Sequence, residues 1–169
     1  MTAASIPLVG RERVLVARVL VAGAVVGVLD GLYVTGVYAV ALRATTPVRL
    51  FQSIARALLD QAAMTGGLAT AALGLALHFS VALAWSAVWA VCYERSPALR
   101  RRVVTTRGAA LFGAGYGVLV WLSMNLVVVR LTLATPTPVA SWSFFVVLLA
   151  HVLVVGPPIA LIVRRSAPR

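Results

Sequence analysis

Three ionisable side chains stand inside long apolar stretches, and their types could support chemistry. Asp30 is the single charge between residues 19 and 42, and His78 and His151 lie ten and nine residues into later apolar runs that begin at residues 68 and 142. At a helical rise of about 1.5 Å per residue, both histidines would lie roughly 14–15 Å deep and Asp30 roughly 18 Å deep. The three groups are expected in one layer near the middle of a membrane.

This layer has more than one interpretation. An aspartate at the centre of a membrane helix costs roughly 2.5–3.5 kcal/mol on insertion scales and is seldom kept without a partner. Asp30 beside two imidazoles is a candidate proton relay or cation site, because each imidazole accepts or donates while the carboxylate balances a charge. The alternative is a structural network in which Asp30, His78 and Asn125 satisfy one another between helices. Two histidines at matching depth could also ligate a haem axially.

Small residues at helical spacing predict how the helices meet. Gly23, Gly27 and Gly31 are spaced four apart, which lets two helix backbones approach closely. Asp30 shares the Gly23 and Gly27 face, so it is expected to point inward. We predict that His78 is in contact with Asp30 or one water away, with His151 close enough to join them. Packing is also the predicted role of two further stripes: Gly67, Ala71, Gly74, His78, Ala82 and Trp85, and then Gly113 with Gly117.

The composition predicts the elements that position these groups. The chain has 169 residues, of which 62% are hydrophobic and 11% are charged, and its mean hydropathy is +1.00. An ordinary soluble domain carries about 25% charged residues, so the apolar excess indicates membrane insertion. We predict an all-α polytopic membrane protein, a single transmembrane domain over residues 1–169. Its four spans are expected at about 19–42, 68–93, 109–129 and 142–163.

The segment 46–61 has a different pattern. Apolar residues recur at helical spacing and polar residues fill the other face. The apolar residues are Leu50, Phe51, Ile54, Leu58 and Leu59, and the polar ones are Arg49, Gln52, Ser53, Arg56 and Asp60. Thr46 as N-cap and Pro47 at the first helical position supply a start signal. A short amphipathic helix lying in the interface is predicted, and a plain loop is the alternative.

Two further features concern the third and fourth spans. Gly156, Pro157 and Pro158 interrupt the fourth span, where each proline removes a backbone donor. We predict a kink there, which is structural in many membrane helices although broken helices line binding sites in some transporters. Asn125 is expected to make an interhelical hydrogen bond.

Arginine placement predicts orientation. All fifteen basic residues are arginines, and eleven of them fall on the side of the termini. By the positive-inside rule this places both termini in the cytoplasm. We interpret the arginines as topology signals that contact anionic lipid headgroups, and not as a nucleic-acid surface. The eleven are Arg11, Arg13, Arg18, Arg95, Arg100, Arg101, Arg102, Arg107, Arg164, Arg165 and Arg169, and the other four are Arg43, Arg49, Arg56 and Arg130.

Aromatic residues supply a weaker positional signal. Trp89, Tyr93 and Phe112 are predicted at the inner membrane boundary and Trp142 at the outer one, as aromatic belts. The deeper tryptophans, Trp85 and Trp121, are expected to be packing residues.

Motifs that identify enzymes do not occur. The chain has no Gly-rich phosphate loop, no HExxH and no serine elbow, and Cys92 is its one cysteine. No catalytic, metal or cofactor site is predicted. The preferred interpretation is a non-enzymatic bundle that serves packing or interaction, with a small ligand or proton in its polar layer. The alternatives are a proton-coupled transporter acting as a homo-oligomer, and a haem-binding electron-transfer subunit.

Several short strings carry a resemblance to known proteins. They are Gly27-x-x-Asp30-x-x-Tyr33, Gln52-Ser53-Ile54-Ala55, Ala72-Leu73-Gly74-Leu75-Ala76-Leu77-His78-Phe79, Met124-Asn125, Ala150-His151 and Gly156-Pro157-Pro158-Ile159-Ala160. With these strings the chain resembles a group of small uncharacterised bacterial membrane proteins and, more distantly, YagU-like inner-membrane proteins. This resemblance implies a bacterial inner-membrane location and a four-helix fold. That group has no established activity, so the resemblance implies no catalytic residue. Through the first string, Tyr33 joins the candidate polar cluster.

Overall fold

The computed structural model describes residues 8–134 and 141–164, and every regular element within them is helical. The α-helices are α1 (Leu8–Thr35), α2 (Pro47–Leu59), α3 (Gly67–Arg95), α4 (Pro97–Arg102), α5 (Thr106–Ser123), α6 (Trp142–Ala150) and α7 (Gly156–Val163). Wider π-helical turns continue α1 (Gly36–Ala41), extend α5 (Met124–Val128) and join α6 to α7 (His151–Val155). Short 3-10 segments follow α2 (Asp60–Thr65) and the end of α5 (Val129–Leu131).

Within the described part of the chain, four helical stretches are long and apolar enough to cross a membrane: Glu12–Ala41, Gly67–Arg95, Thr106–Leu131 and Trp142–Val163. The predicted spans fall on these stretches, although the first helix begins before residue 19. Large apolar side chains cover the outside of the bundle, as at Leu32, which is 66% exposed, and Leu111, which is 63% exposed. A surface of this kind would be costly in water and is expected where helices meet lipid.

Helix α2 begins as the sequence predicts. Thr46 Oγ1 accepts a hydrogen bond from Arg49 N at 3.3 Å, and Pro47 occupies the first turn. Its contact face was not predicted, because Gln52, expected on the polar side, is 3% exposed. The amide of Gln52 donates to Gly67 O at 3.0 Å and to Thr70 Oγ1 at 3.3 Å, which explains how a polar residue can lie against α3.

The predicted apolar stripe of α2 lies only partly against α3. Leu58 is 57% exposed, Leu59 is 39% exposed, and Leu50, Phe51 and Ile54 are half-buried. The protein thus buries one flank of α2 and leaves apolar side chains for its surroundings. This arrangement suits a helix that rests on α3 at a lipid interface.

Glycines set the approach of α1 to α3. A Cβ placed on Gly23 would lie 2.5 Å from Leu83 Cδ2, and one on Gly27 would lie 2.5 Å from Phe79 Cδ1. Both distances are far below van der Waals contact, so the predicted close packing of the first two long helices depends on these glycines. Gly74 is also a packing residue, because its missing side chain admits the backbone of α2 at Phe51.

A second glycine seam joins α5 to the fourth long helix. A Cβ on Gly113 would overlap the backbone of Gly156 and Pro157, and one on Gly117 would overlap the backbone of His151. A π-helical turn separates α6 from α7 at the predicted place, and the prolines occupy the first turn of α7. A proline there costs little, since the first N–H groups of a helix have no intrahelical acceptor. The kink itself stays a prediction.

The contiguous apolar core lies between α1, α3, α5 and α7. Trp89, 3% exposed, and Tyr93, 5% exposed, belong to this core, so their predicted place in a lipid-facing belt is wrong. Their helix turns them toward Tyr116, whose ring centroid lies 4.9 Å from that of Trp89. Phe112 and Trp142 are exposed, at 42% and 71%, whereas Trp121 is buried as predicted.

Arginine hydrogen bonds gather one end of the bundle, called here the arginine end. Arg18 donates to Val163 O at 3.4 Å, and Arg164 donates to Val104 O at 3.0 Å. These bonds hold the first half of α1, the end of α7 and the α4–α5 connection together, as the arginine pattern predicts. Arg165 and Arg169 lie outside the described residues. The opposite end, called here the α2 end, holds α2 and the last turn after α5, where Leu133 N donates to Ala57 O at 3.3 Å.

Candidate functional site

The predicted contact between α1 and α3 is present. His78 Nδ1 lies 4.0 Å from Asp30 Oδ2, and their side chains are 12% and 17% exposed. The distance is longer than a direct hydrogen bond and within ion-pair range. Asp30 therefore has His78 as its neighbour and does not face lipid alone.

A second contact fixes how the His78 ring is used. Its Nε2 lies 2.9 Å from Gly27 O. A carbonyl oxygen only accepts, so Nε2 must carry a hydrogen and donate. In a neutral ring Nδ1 then carries a lone pair, 4.0 Å from Asp30 Oδ2. A lone pair beside a carboxylate is unfavourable, and one proton on either group removes the repulsion.

Local packing explains why the ring sits there. Gly27 and Gly31 lack side chains, and a Cβ on Gly31 would lie 3.5 Å from His78 Nε2. Phe79 and Phe51 present ring edges to His78 at centroid distances of 5.7 and 6.1 Å. Phe51 comes from α2, so the amphipathic helix covers the histidine. These apolar neighbours lower the local dielectric and strengthen the interaction between His78 and Asp30.

One oxygen of Asp30 has no direct partner. Within residues 8–134 and 141–164, Oδ1 of Asp30 is buried and accepts no hydrogen bond. A buried ionised oxygen without a donor is costly, and protonation of the carboxyl group reduces that cost. This observation agrees with a proton held by the pair.

His151 joins the layer from the fourth long helix. Its Nδ1 lies 2.9 Å from Val147 O, so Nδ1 donates and Nε2 is the nitrogen that can take up a proton. His151 interacts electrostatically with both Asp30 and His78. The two histidines are thus held by backbone carbonyls through different nitrogens, and each keeps one nitrogen for proton exchange.

Tyr33 lies at the edge of this cluster. Its hydroxyl donates to Val146 O of α6 at 3.2 Å, and the residue interacts electrostatically with Asp30 and Tyr38. Tyr38, which sequence reasoning missed, donates to Ser143 O at 3.4 Å. A spacing of five residues is unremarkable in an α-helix, so the pattern gave little sign that both tyrosines contact α6. The two hydroxyls mark a seam between α1 and α6.

Asn125 does not join the network. Its Nδ2 donates to Trp121 O at 2.9 Å, one turn earlier in the same helix, so the expected interhelical bond is wrong. Short polar side chains often bond to a carbonyl of the preceding turn, which satisfies them locally without a second helix.

The cluster lies next to the apolar core, on the side of the α2 end. Val26, Ala82 and Val155 are core residues on three helices. Asp30, His78 and His151 are each four residues, about one helical turn, further toward the α2 end. Among the described residues, no three of His, Cys, Asp and Glu form a group that could hold a metal ion. What the geometry offers is proton exchange between the carboxyl group of Asp30 and the imidazole of His78, with His151 near enough to interact electrostatically with both.

Comparisons with known proteins add no assignment. No family model, curated protein or solved structure matches the chain. The resemblance to YagU-like proteins stays an expectation that these comparisons do not test.

Proposed function

We propose that this chain is a non-enzymatic integral membrane protein whose Asp30, His78 and His151 cluster binds one exchangeable proton within the bilayer. The observation that carries the proposal is that the two ring nitrogens of His78 have different partners. Nε2 is committed to Gly27 O at 2.9 Å, while Nδ1 lies 4.0 Å from Asp30 Oδ2. One proton on either group removes the repulsion between the Nδ1 lone pair and the carboxylate across this distance.

The proposed setting is a bacterial inner membrane, with both termini in the cytoplasm. Four long apolar helices support insertion, and the eleven arginines on the side of the termini support the orientation. The exposed members of this set, such as Arg101 and Arg102, are suited to anionic phospholipid headgroups.

A proton-coupled transporter is the second candidate, and the broken fourth helix favours it. His151 begins the π-helical turn that separates α6 from α7, so a protonatable group sits where the helix can bend. Glycine seams hold one copy tightly packed, and a substrate path would therefore lie between copies of the chain.

Vibrational difference spectroscopy of the protein in lipid tests the proposal. The chain has four acidic side chains, so the carboxyl region of an acid-minus-base spectrum is simple. We expect one carboxyl signal that Asp30→Asn removes and that His78→Gln shifts. Asp60→Asn is the matched control, because Asp60 is 56% exposed and paired with Arg56 at 3.5 Å, far along the chain from the cluster.

The control for folding is the amount of monodisperse protein recovered. Asp30→Asn should leave it unchanged, because the amide still hydrogen-bonds. If Asp30→Asn left the carboxyl spectrum intact, or His78→Gln did not shift the Asp30 signal, the cluster would be a structural network only.

A further inference from the structure

The surroundings of the cluster differ between its two sides. Toward the α2 end, the α1–α6 seam carries polar groups: the hydroxyls of Tyr33 and Tyr38 and the carbonyls of Ser143 and Val146. Tyr38 is eight residues from Asp30, a helical distance of about 12 Å. Both hydroxyls are part-buried, so they lie between the cluster and the surface of the bundle.

Toward the arginine end, the same helices are apolar. Between Arg18 and Asp30, and again between His151 and Arg164, the sequence contains no polar side chain. On α1 this run corresponds to about 18 Å of helix. The side chains that fill it are tightly packed: Ala22, Val26 and Ile159 are 0%, 1% and 0% exposed.

The other two long helices do not open a path through this core. Ser86 is fully buried and donates to Ala82 O at 2.8 Å, within its own helix. Tyr116 donates to Trp85 O at 2.7 Å. These two hydroxyls differ from those of the seam in burial: Ser86 and Tyr116 are 0% and 9% exposed beside the apolar core, whereas Tyr33 and Tyr38 are half-buried.

From this asymmetry we propose that the proton reaches Asp30 and His78 from the α2 end, along the α1–α6 seam marked by Tyr33 and Tyr38, while the apolar core closes the path from the arginine end. The inference rests on the proposed function. The cluster then responds to the pH of the compartment on the α2 side. Its central residues, His78 and Asp30, are 12% and 17% exposed.

The titratable groups around the pair are accounted for helix by helix. Tyr33 and Tyr38 come from α1, and His151 comes from the fourth long helix. Helix α2 covers His78 with Phe51, and its ion pair of Arg56 with Asp60 at 3.5 Å lies at its other end. On α3 the next ionisable residues are Cys92 and Tyr93, beyond the core.

Substituted-cysteine labelling with a membrane-impermeant charged thiol reagent tests the inference in a Cys92→Ser background. The reagent reacts with thiolates, which form in water and not in lipid or a packed core. Ala44→Cys and Ala98→Cys, both at exposed positions, define labelling from the α2 end and from the arginine end. Tyr33→Cys and Tyr38→Cys probe the seam, and Ser143→Cys probes its other wall with a near-isosteric change.

We expect the seam cysteines to react from the same side as Ala44→Cys. Leu32→Cys is the matched control on α1, because Leu32 is an apolar residue that is 66% exposed on the outside of the bundle. It should react on the order of tenfold more slowly, since a thiol in lipid does not ionise. Ile159→Cys in the core should not react from the side of Ala98→Cys.

Labelling of the seam from the side of Ala98→Cys, or a Leu32→Cys rate equal to the Ser143→Cys rate, would overturn the inference. The proton path and the proposed proton binding can be refuted independently. A hydrated seam beside an Asp30 that gives no carboxyl signal would refute proton binding alone, whereas an Asp30 signal with a dry seam would refute the path alone.

Discussion

Replacing Gly27 by alanine should damage both the α1–α3 packing and the His78 site. The added Cβ would lie 2.5 Å from Phe79 Cδ1 and 2.6 Å from Phe79 Cε1. Contact between carbon atoms is favourable at about 3.5–4.0 Å, so the Phe79 ring or the helix must move by about 1 Å. Overpacking of this kind costs about 1–3 kcal/mol. At an open helix position, replacing glycine by alanine raises the free energy of unfolding by up to about 1 kcal/mol. Without the clash at Phe79, Gly27→Ala would therefore stabilise the protein.

The matched control for this substitution is Gly115→Ala in α5, where an added Cβ meets no atom within 4 Å. Denaturation of both variants in mixed micelles measures the free energy of unfolding. We expect Gly27→Ala to be less stable than wild type and Gly115→Ala to be equal or more stable. Equal stability of the two variants would refute the close approach of α1 to α3 at Gly27.

Three further predictions concern two tyrosine hydrogen bonds, the topology and the interfacial helix. Tyr116→Phe should lower the free energy of unfolding by about 1 kcal/mol, because it removes the 2.7 Å hydrogen bond to Trp85 O. Tyr38→Phe should lower it less, because the hydrogen bond to Ser143 O is 3.4 Å long. Denaturation that ranks the two variants in the opposite order would contradict this prediction. Cysteine labelling in intact cells should modify Ala44→Cys and leave Ala98→Cys unreacted, and labelling of both from one side would contradict the four-span topology. Spin labels along α2 should show lipid contact at Leu58 and water contact at Ser53, and uniform water exposure would contradict an interfacial helix.

Features that depend on local sequence could be predicted. Thr46 and Pro47 start α2 because a capping hydroxyl and a preset φ act within one turn. Gly23 and Gly27 identify the contact face of α1, because in lipid small residues decide where backbones approach. The neighbourhood of Asp30 and His78 follows from those glycines and from matching depth.

Features that depend on which helix lies opposite could not be predicted. Gln52 has the polarity of an outward residue, and its burial depends on the carbonyl of Gly67 lying across from it. Gly74 has the same spacing whether it admits α1 or α2. Asn125 can satisfy itself on Trp121 O or on a second helix, and nothing in the sequence selects between them.

Measuring the tautomers of the two histidines tests whether Asp30 and His78 bind a proton together. Nitrogen NMR of protein with isotope-labelled histidine in lipid resolves two rings, because the chain has two histidines. We expect His78 to carry a hydrogen on Nε2, which donates to Gly27 O, and we expect the signal of its Nδ1 to change when Asp30→Asn removes the carboxylate. We expect the opposite arrangement for His151, with the fixed hydrogen on Nδ1. A neutral His78 with its hydrogen on Nδ1, or an Nδ1 signal unchanged by Asp30→Asn, would contradict proton binding between Asp30 and His78.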